Sequence, residues 1–86
     1  MEGFDNNFLN TDNYIDCINR GAEVEFIYNK KPYSIIHYDG KVLIGEVGHD
    51  ESDAFFENAS DSLDYKLQGK RLRDILDDMQ ITFRSL

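Results

Sequence analysis

The chain has 86 residues, with 17 Asp and Glu against 9 Lys and Arg, which gives a formal net charge of −8. This length supports one hydrophobic core, and an apolar fraction of 41% with 13% aromatic residues is too high for a disordered chain. An acidic chain is poorly suited to bind nucleic acid or an anionic membrane directly, because phosphate contacts need clustered Lys and Arg.

The compartment is indicated by what the sequence lacks. No apolar run approaches the roughly 18–20 residues of a membrane span, and the first residues show neither the basic nor the apolar region of a signal peptide. The single cysteine, Cys17, cannot form an internal disulfide. These features predict a cytoplasmic protein.

The N-terminal part predicts a tail followed by a short helix. Residues 1–10 are rich in Asn and are expected to be a flexible tail, with residues 11–86 forming the single domain. Thr11 or Asp12 is the expected N-cap, because a short side-chain oxygen accepts an unpaired N–H of the first turn. Gly21 suits the left-handed position that ends the helix.

The middle of the chain has the pattern of an antiparallel meander. Residues 22–28 alternate apolar and acidic side chains, which is typical of a half-buried strand. Residues 33–38 and 41–47 predict two more strands, and Asp39-Gly40 between them favours a two-residue type I′ turn. Residues 54–57 predict a short fourth strand, and the alternation of Ile81 and Phe83 favours a further short edge strand in 80–86.

The C-terminal part predicts two helices. Asn58 or Ser60 is the expected cap of a short helix that ends before Gly69. Within 70–79, apolar residues recur at the i, i+3, i+4, i+7 spacing of an amphipathic helix; they are Leu72, Ile75, Leu76 and Met79. The predicted fold is α+β: a three- to four-stranded antiparallel meander with one N-terminal and two C-terminal helices.

Residue types that support catalysis or metal binding are few. His37, His49 and Cys17 are the available nitrogen and sulfur ligands, and no two of them have metal-site spacing. Cys17 lies beside the apolar stripe of its helix, which is typical of a small core residue rather than a nucleophile. The sequence has no nucleophile elbow and no phosphate-binding glycine loop. We therefore predict no metal, no cofactor and no enzymatic activity.

The acidic residues have an uneven distribution. Between Val42 and Tyr65 there are seven acids and no Lys or Arg: Glu46, Asp50, Glu51, Asp53, Glu57, Asp61 and Asp64. In 70–79 the bases come first, and Asp74, Asp77 and Asp78 come last, against the dipole of a helix. Either these ten acids form a negative surface for a basic partner, or they provide solubility and internal pairing.

The predicted sheet has a second apolar face. If Val24 and Phe26 face the helices, then Ile27, Ile36, Tyr38 and Leu43 point to the opposite side. Exposed apolar patches usually mark interfaces, so these four residues are candidates for self-association. The alternatives are a register shift or coverage by the N-terminal tail.

Two segments carry a resemblance to a group of proteins. The stretch EVEFIYNKKPYSI and the later LQGKRLRDILDDM, with a Gly before the first strand and Gly-Lys before the last helix, cover about residues 21–80. This pattern resembles small acidic proteins of bacteria, phages and mobile elements. The resemblance implies an accessory protein, in a set that includes antitoxins and anti-CRISPR proteins.

The predicted function combines these observations. We expect a non-enzymatic acidic inhibitor that occupies the basic, nucleic-acid-binding surface of a partner protein, because carboxylates can stand where phosphates would bind. The alternative is a homodimeric structural or regulatory module whose acidic surface has no mimicry role.

Overall fold

The computed structural model describes residues 8–85. Its elements in chain order are helix α1 (Thr11–Asn19), strands β1 (Val24–Tyr28), β2 (Lys31–Tyr38) and β3 (Lys41–Glu46), a 3-10 turn (Asp50–Ser52), β4 (Ala54–Phe56), α2 (Ala59–Ser62), β5 (Lys66–Leu67), β6 (Lys70–Arg71), a second 3-10 turn (Leu72–Asp74) and β7 (Gln80–Arg84). The predicted α+β class is confirmed.

Five strands form one antiparallel sheet in the order β4-β3-β2-β1-β7. The predicted turn at Asp39-Gly40 is confirmed, since both residues have positive φ and Tyr38 pairs with Lys41. Asn29 and Lys30 close the preceding hairpin, and both also have positive φ. The short fourth strand is confirmed as β4, but the strand count of three to four was too low, because β7 pairs with β1.

The prediction of a second C-terminal helix over residues 70–79 is wrong. Gln68 and Gly69 both have positive φ and close a β5–β6 hairpin, so Lys70 and Arg71 are extended. The next backbone N–H groups then donate to the preceding segment rather than along a helix: Leu72 N–H to Tyr65 O at 2.8 Å and Arg73 N–H to Leu63 O at 3.1 Å. With no helix here, the expected conflict with a helix dipole does not arise.

The four apolar residues of this segment are nevertheless buried. Leu72, Ile75, Leu76 and Met79 are each at most 4% exposed and belong to the core. A succession of tight turns places them on one side of the chain, as a helix would have done. Their core assignment is confirmed, although the element that carries them differs.

The core lies between the inner face of the sheet and the two helices. Along β1, β2 and β3, the buried side chains alternate with exposed or half-buried ones; the inner set is Val24, Phe26, Tyr33, Ile35, Val42 and Ile44. From α1, Tyr14, Cys17 and Ile18 complete the same cluster. Cys17 is therefore a packing residue in this structure.

The start of α1 differs in detail from the prediction. Asn10 rather than Thr11 or Asp12 is the N-cap, and its side chain accepts a 2.8 Å hydrogen bond from Asn13 N–H. Of the predicted tail, residues 1–7 lie outside the described residues. Phe8 is 1% exposed, stacks edge-on against Tyr14 at 5.1 Å, and lies under the Arg84 guanidinium at 4.3 Å.

One buried polar pair connects the two helices. The Ser62 hydroxyl donates to Ala59 O at 2.6 Å, so the Tyr14 hydroxyl, 2.8 Å away, donates to Ser62. Tyr14 and Ser62 are both 0% exposed. Burial raises the pKa of the Tyr14 hydroxyl, because a phenolate here would lose its hydration.

Candidate functional site

Residues 8–85 form no pocket, and no three His, Cys, Asp or Glu side chains among them are grouped as metal ligands. No helix in this part of the chain is long and apolar enough to cross a membrane. The candidate residues accordingly lie on the surface of the domain, where they fall into three groups.

The first group surrounds strand β4 at one edge of the sheet. Asp50, Glu51 and Asp53 immediately precede β4, and Glu57, Asp61 and Asp64 follow it in and around α2; we call these six residues the β4 acidic cluster. All six are exposed. Because β4 is the terminal strand, the fold brings six of the ten predicted binding residues to a single edge.

Several of these carboxylates have internal partners. Glu57 pairs with Lys41 at 3.2 Å, and Asp64 pairs with Arg73 at 2.7 Å. His49 lies 3.3 Å from Glu51, and the pKa of the Glu51 carboxyl is lowered by a hydrogen bond from its own backbone N–H and then by His49. These pairs support the internal-pairing alternative for part of the acidic surface.

Other members have no ion pair with another described residue. Asp50 and Asp61 belong to this subset, and both are exposed. The seventh acid of the region, Glu46, is less accessible: its side chain is only 20% exposed and lies 3.4 Å from His49, which also contacts Glu51. Glu46 is therefore better placed to hold the turn after β3 than to meet a partner.

The second group is Asp74, Asp77 and Asp78. All three are exposed, but they lie on consecutive turns after β6 and not on a helix. The helix predicted for residues 70–79, which would have carried all three, is therefore absent. Arg73 in the same segment forms the ion pair with Asp64, so the basic start of this segment does meet the acidic stretch before it.

The third group is the sheet face that points away from the helices, here called the open face. Its members follow from strand alternation and cross-strand register; they are Glu25, Ile27, Pro32, Ser34, Ile36, Tyr38, Lys41, Leu43, Gly45, Asp53, Phe55, Glu57, Gln80 and Phe83. The four residues predicted for this side all lie on it. Ile27, Ile36 and Leu43 are half-buried, and Tyr38 is 61% exposed.

Ile36, Leu43 and Phe55 form one row across β2, β3 and β4. The Tyr38 ring lies 6.1 Å from the Phe55 ring. We call these four residues the aromatic patch. Phe55 was missed from sequence because the predicted fourth strand had no assigned neighbour, although the alternation of Asp53, Phe55 and Glu57 could have placed all three on one face.

Acids border the aromatic patch within the same face. The Asp53 carboxylate packs directly over Gly45, where a Cβ would collide with it. Glu57 lies beside Lys41 in the row on the other side of the patch. Asp53 and Glu57 thus belong both to the β4 acidic cluster and to the open face.

One buried polar atom on the helix-facing side of the sheet lacks a hydrogen-bond partner among the described residues. The Nε2 atom of His37 is buried and has no hydrogen-bond partner among residues 8–85. Such an atom is unfavourable in a protein interior. It lies on the opposite side of β2 from the aromatic patch, so it belongs to none of the three groups.

Comparisons with protein-family models, with curated proteins and with solved structures found no match to this chain. The resemblance to small acidic proteins of bacteria and mobile elements stays a prediction.

Proposed function

We propose that this protein is a non-enzymatic acidic binding protein that occupies the basic, nucleic-acid-binding surface of a partner protein. The observation that carries the proposal is the β4 acidic cluster, in which six exposed acids lie in the segments on both sides of one edge strand. A net charge of −8 adds a long-range attraction to basic surfaces. Antitoxin-, immunity- and anti-CRISPR-like inhibitors are the corresponding functional classes.

The chemistry of the proposal is replacement of phosphate by carboxylate. Asp50 and Asp61 have no ion pair with other described residues, so contact with a partner's Lys or Arg would not first break an internal bond. Glu57 and Asp64 already hold Lys41 and Arg73, and their contribution to a partner would be smaller. Complementary charge increases the association rate more than it increases affinity.

The test uses a charge reversal that avoids the internally paired acids. The variant Asp50→Lys with Asp61→Lys changes two exposed positions. The control Asp12→Lys with Asp16→Lys makes the same change in charge on α1, although it also removes the pair of Asp16 with Arg20. Each immobilised protein is incubated with a bacterial lysate at about 50 mM salt and eluted with duplex DNA or with rising salt.

Wild type and the α1 control are expected to retain the same nucleic-acid-binding proteins, which DNA and about 500 mM salt release. The Asp50→Lys, Asp61→Lys variant should lose them. Equal retention by this variant, or failure of DNA to compete, would show that the acidic surface only provides solubility.

A homodimeric structural or regulatory module is the second candidate function. The exposed rings of Tyr38 and Phe55 on the open face favour it. Sedimentation of wild type at micromolar concentration distinguishes the two, since only the second candidate requires a dimer that is lost when these rings are removed.

A further inference from the structure

We infer that the open face is the surface on which the partner docks, and that it fits a protein segment with an apolar stripe flanked by Lys and Arg. This inference rests on the proposed function, because it takes the partner to be basic. Beyond the proposed function, it specifies the docking surface, the residues that anchor the contact, and the apolar stripe that the partner segment must have.

The aromatic patch has the composition of an interface centre. Tyr38 and Phe55 are 61% and 52% exposed, yet their rings contact one another and lie beside the half-buried Ile36 and Leu43. Aromatic residues are enriched in binding hot spots, because they bury a large area at low cost in side-chain entropy. The patch is continuous over three adjacent strands rather than scattered over the surface.

The size of the patch suits a single segment of a partner. Neighbouring strands lie about 4.8 Å apart, so the row of Ile36, Leu43 and Phe55 is about 10 Å wide. An α-helix is about 10–12 Å in diameter including side chains, and one amphipathic helix would cover this row.

The charges that border the patch select a basic occupant. Among the described residues of the open face, Glu25, Asp53 and Glu57 provide three carboxylates. Lys41 provides the one ammonium in this set and is already paired with Glu57 at 3.2 Å. A segment whose apolar stripe lies on the patch would place its flanking side chains beside these carboxylates. Lys or Arg there would be attracted, and Asp or Glu would be repelled.

The same charges argue against a second copy as the occupant. In a two-fold symmetric dimer the same surface meets itself, so the acids of one copy would approach the acids of the other. Juxtaposed like charges oppose association, and each chain carries a net charge of −8. The carboxylates around the aromatic patch therefore attract a basic partner and repel a second copy of this chain.

The experiment titrates the full chain, labelled for NMR, with a helical peptide of about 18 residues made of Leu and Lys, with Leu at i, i+3, i+4 and i+7. A peptide with Glu in place of Lys is the charge control. We expect saturable binding of the Lys peptide, with the largest shift changes at Ile36, Tyr38, Leu43 and Phe55, and no binding of the Glu peptide.

The matched variants are Tyr38→Ser with Phe55→Ser, which removes the two exposed rings, and Leu9→Ser, which changes an 80% exposed apolar residue that belongs to no strand of the sheet. The first should bind the Lys peptide at least about tenfold more weakly, and the second should bind like wild type. Circular dichroism confirms that both are folded.

The outcomes separate the inference from the proposed function. If Tyr38→Ser with Phe55→Ser binds as tightly as wild type while Asp50→Lys with Asp61→Lys does not bind, the open face is the wrong surface and the acidic proposal stands. If neither pair of substitutions nor salt changes binding, both the open-face inference and the proposed function are wrong. A wild-type dimer that the two Ser substitutions convert to monomer would overturn the inference in favour of a second copy.

Discussion

The buried hydroxyl of Tyr14 makes stability depend on pH in the alkaline range. In the unfolded chain a tyrosine loses its proton near pH 10, whereas in the folded protein burial raises the pKa of Tyr14, and its hydroxyl stays protonated 2.8 Å from Ser62. The stabilisation is fully present below about pH 10. Above it, the free energy of unfolding should fall by about 1.4 kcal/mol per pH unit, until the folded protein also ionises.

The matched comparison is Tyr14→Phe, measured by urea unfolding followed by far-UV circular dichroism between about pH 8 and pH 11.5. At pH 8 the variant should be less stable by about 1 kcal/mol, because it loses the hydrogen bond to Ser62. Ser62 keeps its bond to Ala59 O. Between about pH 8 and pH 11 the difference between the two proteins should shrink by about 1.4 kcal/mol, so that the variant becomes the more stable protein near pH 11.

The result that would refute this reasoning is a constant difference between the two proteins up to about pH 11.5. It would mean that the Tyr14 hydroxyl reaches water in the folded state. Tyr65, whose pKa is also raised by burial, is present in both proteins and cancels in the comparison. Tyr38→Phe, which removes a hydroxyl from an exposed ring and keeps Tyr14, should follow wild type.

Three further substitutions test the packing by the same unfolding assay. Leu76→Ala should cost about 2–5 kcal/mol, since the side chain is 4% exposed within the core; a loss below about 1 kcal/mol would contradict that placement. Gly45→Ala should cost about 1–3 kcal/mol, because its Cβ collides with the Asp53 carboxylate. Adding Asp53→Ala should restore part of this stability; if the double variant is no more stable than Gly45→Ala alone, the collision is not with Asp53. His37→Leu should be at least as stable as wild type, because it removes a buried nitrogen without a partner among the described residues, and a loss above about 1 kcal/mol would reveal a hidden bond.

Local signals in the sequence were sufficient for the central hairpins. Asp39-Gly40 specifies a turn through its own backbone preferences, and the alternation around Val24 and Phe26 identifies the buried face without knowledge of any partner strand. The position of β7 could not be obtained in this way. Its pairing with β1 depends on contacts between distant segments, and the bulge near Glu25 shifts its register.

The segment from Leu72 to Met79 shows why apolar spacing alone is ambiguous. The i, i+3, i+4, i+7 pattern identifies four residues on one side of the chain, and that is what the structure shows. Whether a helix or a set of turns produces this arrangement depends on the hairpin at Gln68-Gly69 and on where the backbone N–H groups donate. Neither is encoded by the spacing.

The candidate surfaces were predictable to different degrees. Strand alternation placed Ile27, Ile36, Tyr38 and Leu43 on a common face, but Phe55 joins them only because β4 pairs with β3. Counting acids identified the β4 acidic cluster, and internal pairing with the bases of 70–79 was one alternative, which Arg73 and Asp64 realise. The pair of Glu57 with Lys41 was missed, because it depends on the register of β4 against β3.

The pairing of the last strand with the first has a consequence for the order in which the chain folds. The β1–β2–β3 hairpins join neighbouring segments through two-residue turns and need no later part of the chain. By contrast, Glu23 N–H reaches the Ser85 hydroxyl 62 residues along the sequence. Until β7 has been synthesised, the outer backbone groups of β1 remain an unpaired edge that can pair with another chain. A chain truncated after Met79 should therefore contain the meander and yet aggregate, because β7 is the strand that covers this edge of the sheet.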